Sequence, residues 1–419
     1  MKKVQFTHTN YLTTVEDEKK HFSGLDVKKA TLARYIQDCL CLPSDRDFAD
    51  NIETGGIKEC GIDRRHINVA NEIFGPNEHA LYGKTVQRPN KMPRDSSSIN
   101  VSPTILRRYG EVTLGMDVLY INGMPFLFST AKHLKFMQCL RLRNKTTSMF
   151  LSTITKMKSV YEARGFKIKK IYADRAFDPC REKLAEMHIE LICCDKNAHV
   201  HFVERGIRFI KERVRCIRSM LPKRIKKVPK KLMIEIVYAT TKLVNSIRRK
   251  GGVHPVMSPR QIVTGRRLVI PLFPPGAFVY AVPGASISSV DKSRAFDSLY
   301  LRPNEEGGGH FVYNIETMQR NSVGRVYGHN KKPIPMPERI ITKINKDAAS
   351  EEQQDGMTYG DIDNMNTIND LEALPDEENP EFADDDAEDR SYTTSDDFTC
   401  DGDHTINNNM QYNTGKNNT

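Results

Sequence analysis

The chain has 419 residues, 38% of them hydrophobic and 28% charged, with a formal net charge of +10 and no tryptophan. That length accommodates roughly two or three domains with a real core. No apolar run approaches the ~20 residues that span a bilayer, and Met1-Lys2-Lys3-Val4 leads into no apolar segment, so neither a membrane anchor nor a secretory signal is expected.

The nine cysteines, an odd number at irregular spacings, read as thiols of a reducing compartment rather than a disulfide framework. The chain is therefore expected to be soluble, intracellular and not secreted. Its charge is unevenly distributed. Residues 351–419 hold 20 acidic and 2 basic residues, a net −18, which leaves +28 on the first 350. A body that basic calls for a polyanionic partner, with nucleic acid the default and an anionic membrane or acidic protein as alternatives.

Helical spacing predicts a helix from about Val27 to Leu42, carrying Leu32, Ile36 and Leu40 on one side, and another from about Asp63 to Ile73. Residues 87–103, rich in Pro, Asn, Ser and Arg, read as a linker. The texture changes at Glu111. Residues 111–120 read as a strand, Asn122-Gly123 as a two-residue hairpin turn, and residues 124–130 and 136–141 as two further strands. Then follow a helix over 146–164, a strand over 167–174 ending in an acid, a short helix over 179–187, a strand over 189–194, and helices over about 200–219 and 229–249. Three antiparallel strands followed by alternating helices and strands make a mixed sheet flanked by helices, an α/β layer architecture.

Short strands return at Phe278–Val282, Ser298–Leu301, His310–Ile315 and Val323–Tyr327, separated by Gly- and Pro-rich turns that predict a small β-barrel. Beyond this the acid- and Asn-rich tail has too little apolar surface to fold. The expected domains are thus 1–103, 104–270, 271–346 and a disordered tail, 347–419. Cys39, Cys41, Cys60, His66 and His79 contain no Cys-x-x-Cys and no regular His pair, which argues against structural zinc.

The helix over 200–219 organises the chemistry. Val203, Ile207, Ile210, Val214 and Ile217 fall on one side, and Glu204, Arg208, Lys211 and Arg215 on an adjacent one. A carboxylate at the head of a cationic face can be a surface ion pair, or a metal-binding acid at the edge of a phosphate-binding surface. Asp117 in the first strand and Asp174 at the end of the fourth are its possible companions. First and fourth strands are plausible neighbours in such a unit, and two hard divalent cations need several carboxylate oxygens. The plainer readings are an edge-strand charge for Asp117 and a helix cap for Asp174. Glu212, about 80° round the helix and two turns on from Glu204, should miss the same point; Asp178 reads as a cap and Asp195 as solvated.

Three stretches carry a family resemblance: His199-Val200-x-x-Val203-Glu204-Arg205-x-Ile207-Arg208-x-Ile210-Lys211-Glu212-Arg213-x-Arg215, then Ser258-Pro259-Arg260-Gln261-Ile262-Val263-Thr264-Gly265, and Ile73-Phe74-Gly75-Pro76 leading to Gly83-Lys84-Thr85-Val86. With the domain order they make residues 25–345 resemble the integrase region of copia-type LTR-retrotransposon polyproteins, particularly those of diatoms and other algae. The resemblance implies an RNase H-like catalytic core with a five-stranded mixed sheet, followed by a small SH3-like barrel for DNA or subunit contacts. It implies that Asp117, Asp174 and Glu204 bind two Mg²⁺ (or Mn²⁺) ions, with no small-molecule cofactor.

The implied activity is 3′-end processing of element DNA and its strand transfer into target DNA, in the nucleus, by a homo-oligomer on DNA. Arg208, Lys211, Arg215 and Arg218 would line the DNA groove. Lys223, Arg224, Lys226, Lys227, Lys230 and Lys231 would grip phosphates, although a solvated surface or a nuclear-import signal fits that second cluster equally. The sequence departs from the family in two places. It has no recognisable His-His-Cys-Cys module, and Asp174-Arg175-Ala176 stands where Asp-Asn-Gly or Asp-Gly is usual. Rival readings are an element-derived DNA-binding protein without chemistry, an RNase H-type nuclease, for which residues 146–166 offer only Glu162 as an early helical acid, and an interaction protein acting through the acidic tail.

Overall fold

Helices come first in the chain: α1 (Val15–Lys19), α2 (Gly24–Cys39), α3 (Asp45–Glu53), α4 (Arg64–Phe74), α5 (Glu78–Lys84) and α6 (Pro103–Tyr109). The computed structural model describes residues 12–57, 60–85, 99–194, 200–283, 289–304, 308–328 and 333–358. α2 and α4 are the two helices the spacing predicts, but α2 buries Ala30, Ala33 and Gln37 while Leu32 and Leu40, expected on its apolar side, are exposed. The others are short and polar, so they lack a legible apolar stripe, but α1, α3 and α5 each begin on a capping side chain: Thr14, Ser44 and Asn77 respectively. Most of the expected linker over 87–103 lies outside the described residues, and α6 begins at its far end.

The central sheet follows: β1 (Glu111–Ile121), β2 (Met124–Ala131), β3 (Met137–Arg141), helix α7 (Thr147–Glu162), β4 (Lys167–Asp174), a 3-10 turn over Arg175–Cys180, α8 (Arg181–Glu186), β5 (Glu190–Cys194), α9 (His201–Met220), α10 (Lys230–Val244) and α11 (Pro259–Thr264). The strand order is β3-β2-β1-β4-β5, with β1, β2 and β3 antiparallel and β4 and β5 parallel to β1. Asn122 and Gly123 both take positive φ, as the two-residue turn demands. The helix expected over 179–187 instead divides into the 3-10 turn and α8.

Helices cover both faces of this sheet. Leu114, Met116, Ile171 and Ala173 pack with α7, α8 and α11 on one side. Leu119, Ile121, Phe126 and Phe128 pack with Val203, Ile210 and Val214 of α9 and Ile236 of α10 on the other. Each fully buried aliphatic side chain contributes about 1.5–3 kcal/mol, so the α9 stripe is held firmly on its face. The sheet edge at β3 is covered by α10: Asn245 donates to the Met137 carbonyl at 2.6 Å and accepts from its amide at 2.9 Å, and the Tyr238 hydroxyl accepts from the Arg141 amide.

The C-terminal sheet comprises β6 (Phe278–Val282), β7 (Phe296–Pro303), β8 (His310–Asn314), β9 (Gln319–Val323) and β10 (Arg325–Tyr327), ordered β10-β6-β7-β8-β9 and antiparallel throughout. The last predicted strand, Val323–Tyr327, is in fact two. β9 pairs with β8 while β10 pairs with β6, with only Gly324 between them, so the sheet curls until its two ends are consecutive in sequence. Residues 319–322 carry no apolar alternation, because polar side chains fill that strand.

The tail begins later than its composition predicts. α12 (Glu338–Thr358) runs through the boundary expected at 347, because Ile340, Ile341, Ile344 and Ala348 recur at helical spacing and are buried. The residues beyond it that were expected to be disordered lie outside the described ones. The N-terminal helices are tied to the same core. Arg339 of α12 pairs with Glu78 and Asp297, and the Tyr82 hydroxyl donates to Asp297 at 2.8 Å.

Candidate active site

β1 is the middle strand, so Asp117 is not an edge charge: it lies opposite Phe128 of β2 and is half-buried. Side chains alternate along a strand. With Leu114 and Met116 committed to the α7 side, Gly115 and Asp117 face α9. Gly115 pairs with Tyr172 of β4, and two residues further along each strand stand Asp117 and Asp174, on that same face.

Two glycines bring α9 down onto this end of the sheet. A Cβ on Gly115 would overlap Val203 and stand 2.7 Å from the Phe202 ring, and one on Gly206 would stand 2.7 Å from the ring of Phe128. Phe128 is the residue opposite Asp117, so the first turn of α9, which carries Glu204, is delivered beside the two aspartates.

The charges register that nearness. Burial pushes the Asp117 carboxyl above the usual carboxylate range, and the negative charges of Asp174 and Glu204 push it the same way. The Val118 amide, donating at 2.6 Å, and the Lys211 ammonium pull it back. Asp174 is exposed and its Oδ1 accepts from the Arg175 amide at 2.7 Å, capping the 3-10 turn, so the plainer reading of that residue also holds. Glu204 is exposed.

As the side chains stand, the described residues hold no group of three or more His, Cys, Asp and Glu that could bind a metal ion. The acids share one end of one face, but two of them are turned onto neighbouring backbone amides. Their chemistry still fits a hard divalent cation: all three donors are carboxylates, and crowding them raises the charge cost that a cation would offset.

The expected DNA-binding residues divide. Arg208 and Arg215 are exposed on α9 and Lys211 is half-buried nearer the acids. Arg218 instead donates to the carbonyls of Ile225 and Lys226 at 2.5 and 3.2 Å, fastening the loop after α9. Arg224 pairs with Glu338 of α12 at 2.5 Å. Lys226 and Lys230 are anchored through their backbone amides to Asn345 and Glu351. Lys223, Lys227 and Lys231 are exposed.

Among the remaining acids, Asp178 pairs with Arg181 at 2.6 Å inside the 3-10 turn rather than capping a helix. Glu212 is exposed, and Asp195 lies outside the described residues. His66, one of the residues weighed for zinc, closes a capping box by accepting from the Asp63 amide at 3.1 Å. A basic cavity on the other flank of α9 has almost no signal in the sequence. Its one trace is Gly206, a glycine within a helical pattern and thus a mark of close approach.

No family model matches the chain, and no curated protein matches it. Among solved structures, the chain is similar over 36% of its length to the catalytic core domain of BIV integrase, at 15% identity and a TM-score of 0.27, covering 92% of that domain. It is likewise similar to the HTLV-2 integrase catalytic core domain in complex with magnesium, in dimeric and trimeric forms, at 16% and 17% identity, each with a TM-score of 0.27 and 93% and 95% of those chains covered. At such identities and scores the likeness assigns no activity. The five-stranded mixed sheet with helices on both faces fits an α/β, RNase H-like core.

Proposed function

We propose that this chain is an integrase-type polynucleotidyl transferase of a copia-like element, cutting and joining DNA with divalent-cation assistance. One observation carries the reading: Asp117 on the central strand feels the charges of Asp174, on its parallel neighbour, and of Glu204, on the crossing helix, at the head of a cationic helix face. Those three carboxylates would hold the Mg²⁺ or Mn²⁺ ions. Held there, the ions would supply Lewis-acid activation of an attacking oxygen and stabilisation of the leaving one.

The chain's own residues do the rest. Gly115 and Gly206 fix the height of α9 above the sheet, and so the placement of Glu204. Lys211 keeps positive charge beside Asp117, while Arg208 and Arg215 continue the track along which phosphates bind. We read the curled C-terminal sheet as a small SH3-like barrel adding DNA or subunit contacts, and the working form as a homo-oligomer on DNA in the nucleus.

The decisive experiment is Mg²⁺- or Mn²⁺-dependent end processing and strand transfer on DNA with the element's terminal repeats. Glu204→Gln should keep DNA affinity within about twofold and lose about 10³-fold in rate, the several kcal/mol a metal-held charge supplies. Equal rates in the two proteins would sink the assignment. A second reading, a DNA-binding protein without chemistry, is favoured by the backbone caps that hold Asp117 and Asp174 and predicts no metal-dependent cleavage by either protein.

A further inference from the structure

α9 has a second functional flank. On the side away from the three acids, between α9, the end of α10 and the β2–β3 turn, lies a cavity of about 820 Å³. That is within the size range of pockets that enclose small organic groups. Its floor is apolar and partly aromatic, with Phe202, Phe209, Met137 and Leu243, and Ile247 stands at its rim.

Around this floor stand Lys135, Arg205, Arg213, Arg248, Arg249 and Lys250, and no Asp or Glu is among the described residues lining it. Arg249 and Arg213 stack on Phe209, with their guanidinium carbons 4.1 and 4.9 Å from the ring centroid. The cations crowd one another. Burial lowers the Lys135 ammonium from its usual range and Arg205 and Arg249 push it further down, while burial and then Arg213 act in the same direction on Arg249.

A set of mutually repelling cations over an aromatic floor is completed by a ligand that is both flat and multiply anionic. Guanidinium forks match phosphate oxygens in pairs, and a planar ring extends an arginine–aromatic stack. We propose that this cavity receives an unpaired nucleotide of a DNA strand, its base on Phe202 and extending the stack that Arg249 and Arg213 make on Phe209, and its phosphates on the edges of Arg205, Arg213 and Arg249. The inference rests on the nucleic-acid reading of the chain and adds a subsite for single-stranded DNA, separated from the acids by the body of α9. Phe202 connects the two, because it lines the cavity and also packs on Gly115, two residues before Asp117.

The test is binding by the full chain, followed by anisotropy, of a labelled single strand of about 15 nucleotides, a length that matches the upper site size of single-strand grooves, and of the blunt duplex of the same sequence. A second single strand carrying 2-aminopurine reports stacking through quenching. Ile247→Glu is the main variant, because that side chain is 63% exposed and its replacement should leave the fold intact while placing a carboxylate among the cations. Phe209→Ala removes the ring on which Arg249 and Arg213 are stacked.

Both variants should weaken the single strand at least about tenfold, abolish the quenching and change duplex affinity less than about twofold. Deoxyadenosine monophosphate at millimolar concentration should displace the strand from wild type. Equal losses for strand and duplex, or no loss for either, would overturn the proposal, as would displacement by a Glu-Tyr peptide but not by the nucleotide. The readout is binding, so failure here leaves the Glu204 assignment standing, and failure of the cleavage assay leaves this measurement decisive.

Discussion

Two basic stretches that look alike in sequence differ in the fold. Arg208, Lys211 and Arg215 lie along α9 beside the acids, with Arg208 and Arg215 open to solvent. The stretch from Arg218 to Lys231 is as rich in cations, but much of it is bound to the protein itself. Arg218 fastens the Ile225 and Lys226 carbonyls, Arg224 pairs with Glu338, and Asn345 and Glu351 of α12 hold the loop backbone. A run of positive residues is a phosphate surface only where its side chains have not already been used to fix the chain. The helix face meets that condition; Arg218 and Arg224 do not.

The sharpest way to break this contrast is to remove the α9 cations together. Arg208→Ala, Lys211→Ala and Arg215→Ala combined should lower duplex affinity more than about tenfold at moderate salt. The slope of log affinity against log salt should flatten by roughly 2–3, at about 0.9 for each phosphate that the helix no longer neutralises. An unchanged slope in a salt titration would place DNA elsewhere. Arg218→Ala should act on the other side of the comparison. Leaving two carbonyls without a charged donor should cost about 1–2 kcal/mol in a urea melt, with DNA affinity per folded molecule unchanged. Glu338→Gln, breaking a half-exposed pair, should cost no more than about 1 kcal/mol.

The acid end of α9 gives a subtler, pH-dependent prediction. The folded-state pKa of Asp117 is raised, so its ionised form opposes folding; that penalty is absent below the unfolded carboxylate range and grows as pH rises through it toward the folded value. Asp117→Asn should therefore raise the melting temperature near neutral pH, with the gain vanishing in acid. Mg²⁺ should stabilise wild type and have a smaller effect on the variant. A variant that melts lower than wild type near neutral pH and responds equally to Mg²⁺ would remove Asp117 from the site.

Local pattern determined a good deal by itself. The apolar alternation of Val112, Leu114 and Met116, the Asn122-Gly123 turn and the stripe Val203, Ile210, Val214 each specify their element, because period and turn chemistry are properties of consecutive residues. The order of those elements was enough to expect the mixed sheet. Asp117, Asp174 and Glu204 could be singled out, but only as candidates. Strand β9, the 3-10 turn and the helical continuation to Thr358 escaped, since polar strands and short turns take their stability from partners distant in sequence.

Tertiary structure decided the rest. It put β1 at the centre of the sheet, where Asp117 loses water and feels two other carboxylates. It lowered α9 onto Gly115 and Gly206, and it separated cations that face solvent from cations that hold a loop. The cavity beside Phe209 likewise exists only because α10 and the β2–β3 turn close around α9. Burial, charge coupling and enclosure depend on neighbours brought together by folding, and spacing along one chain cannot encode them locally.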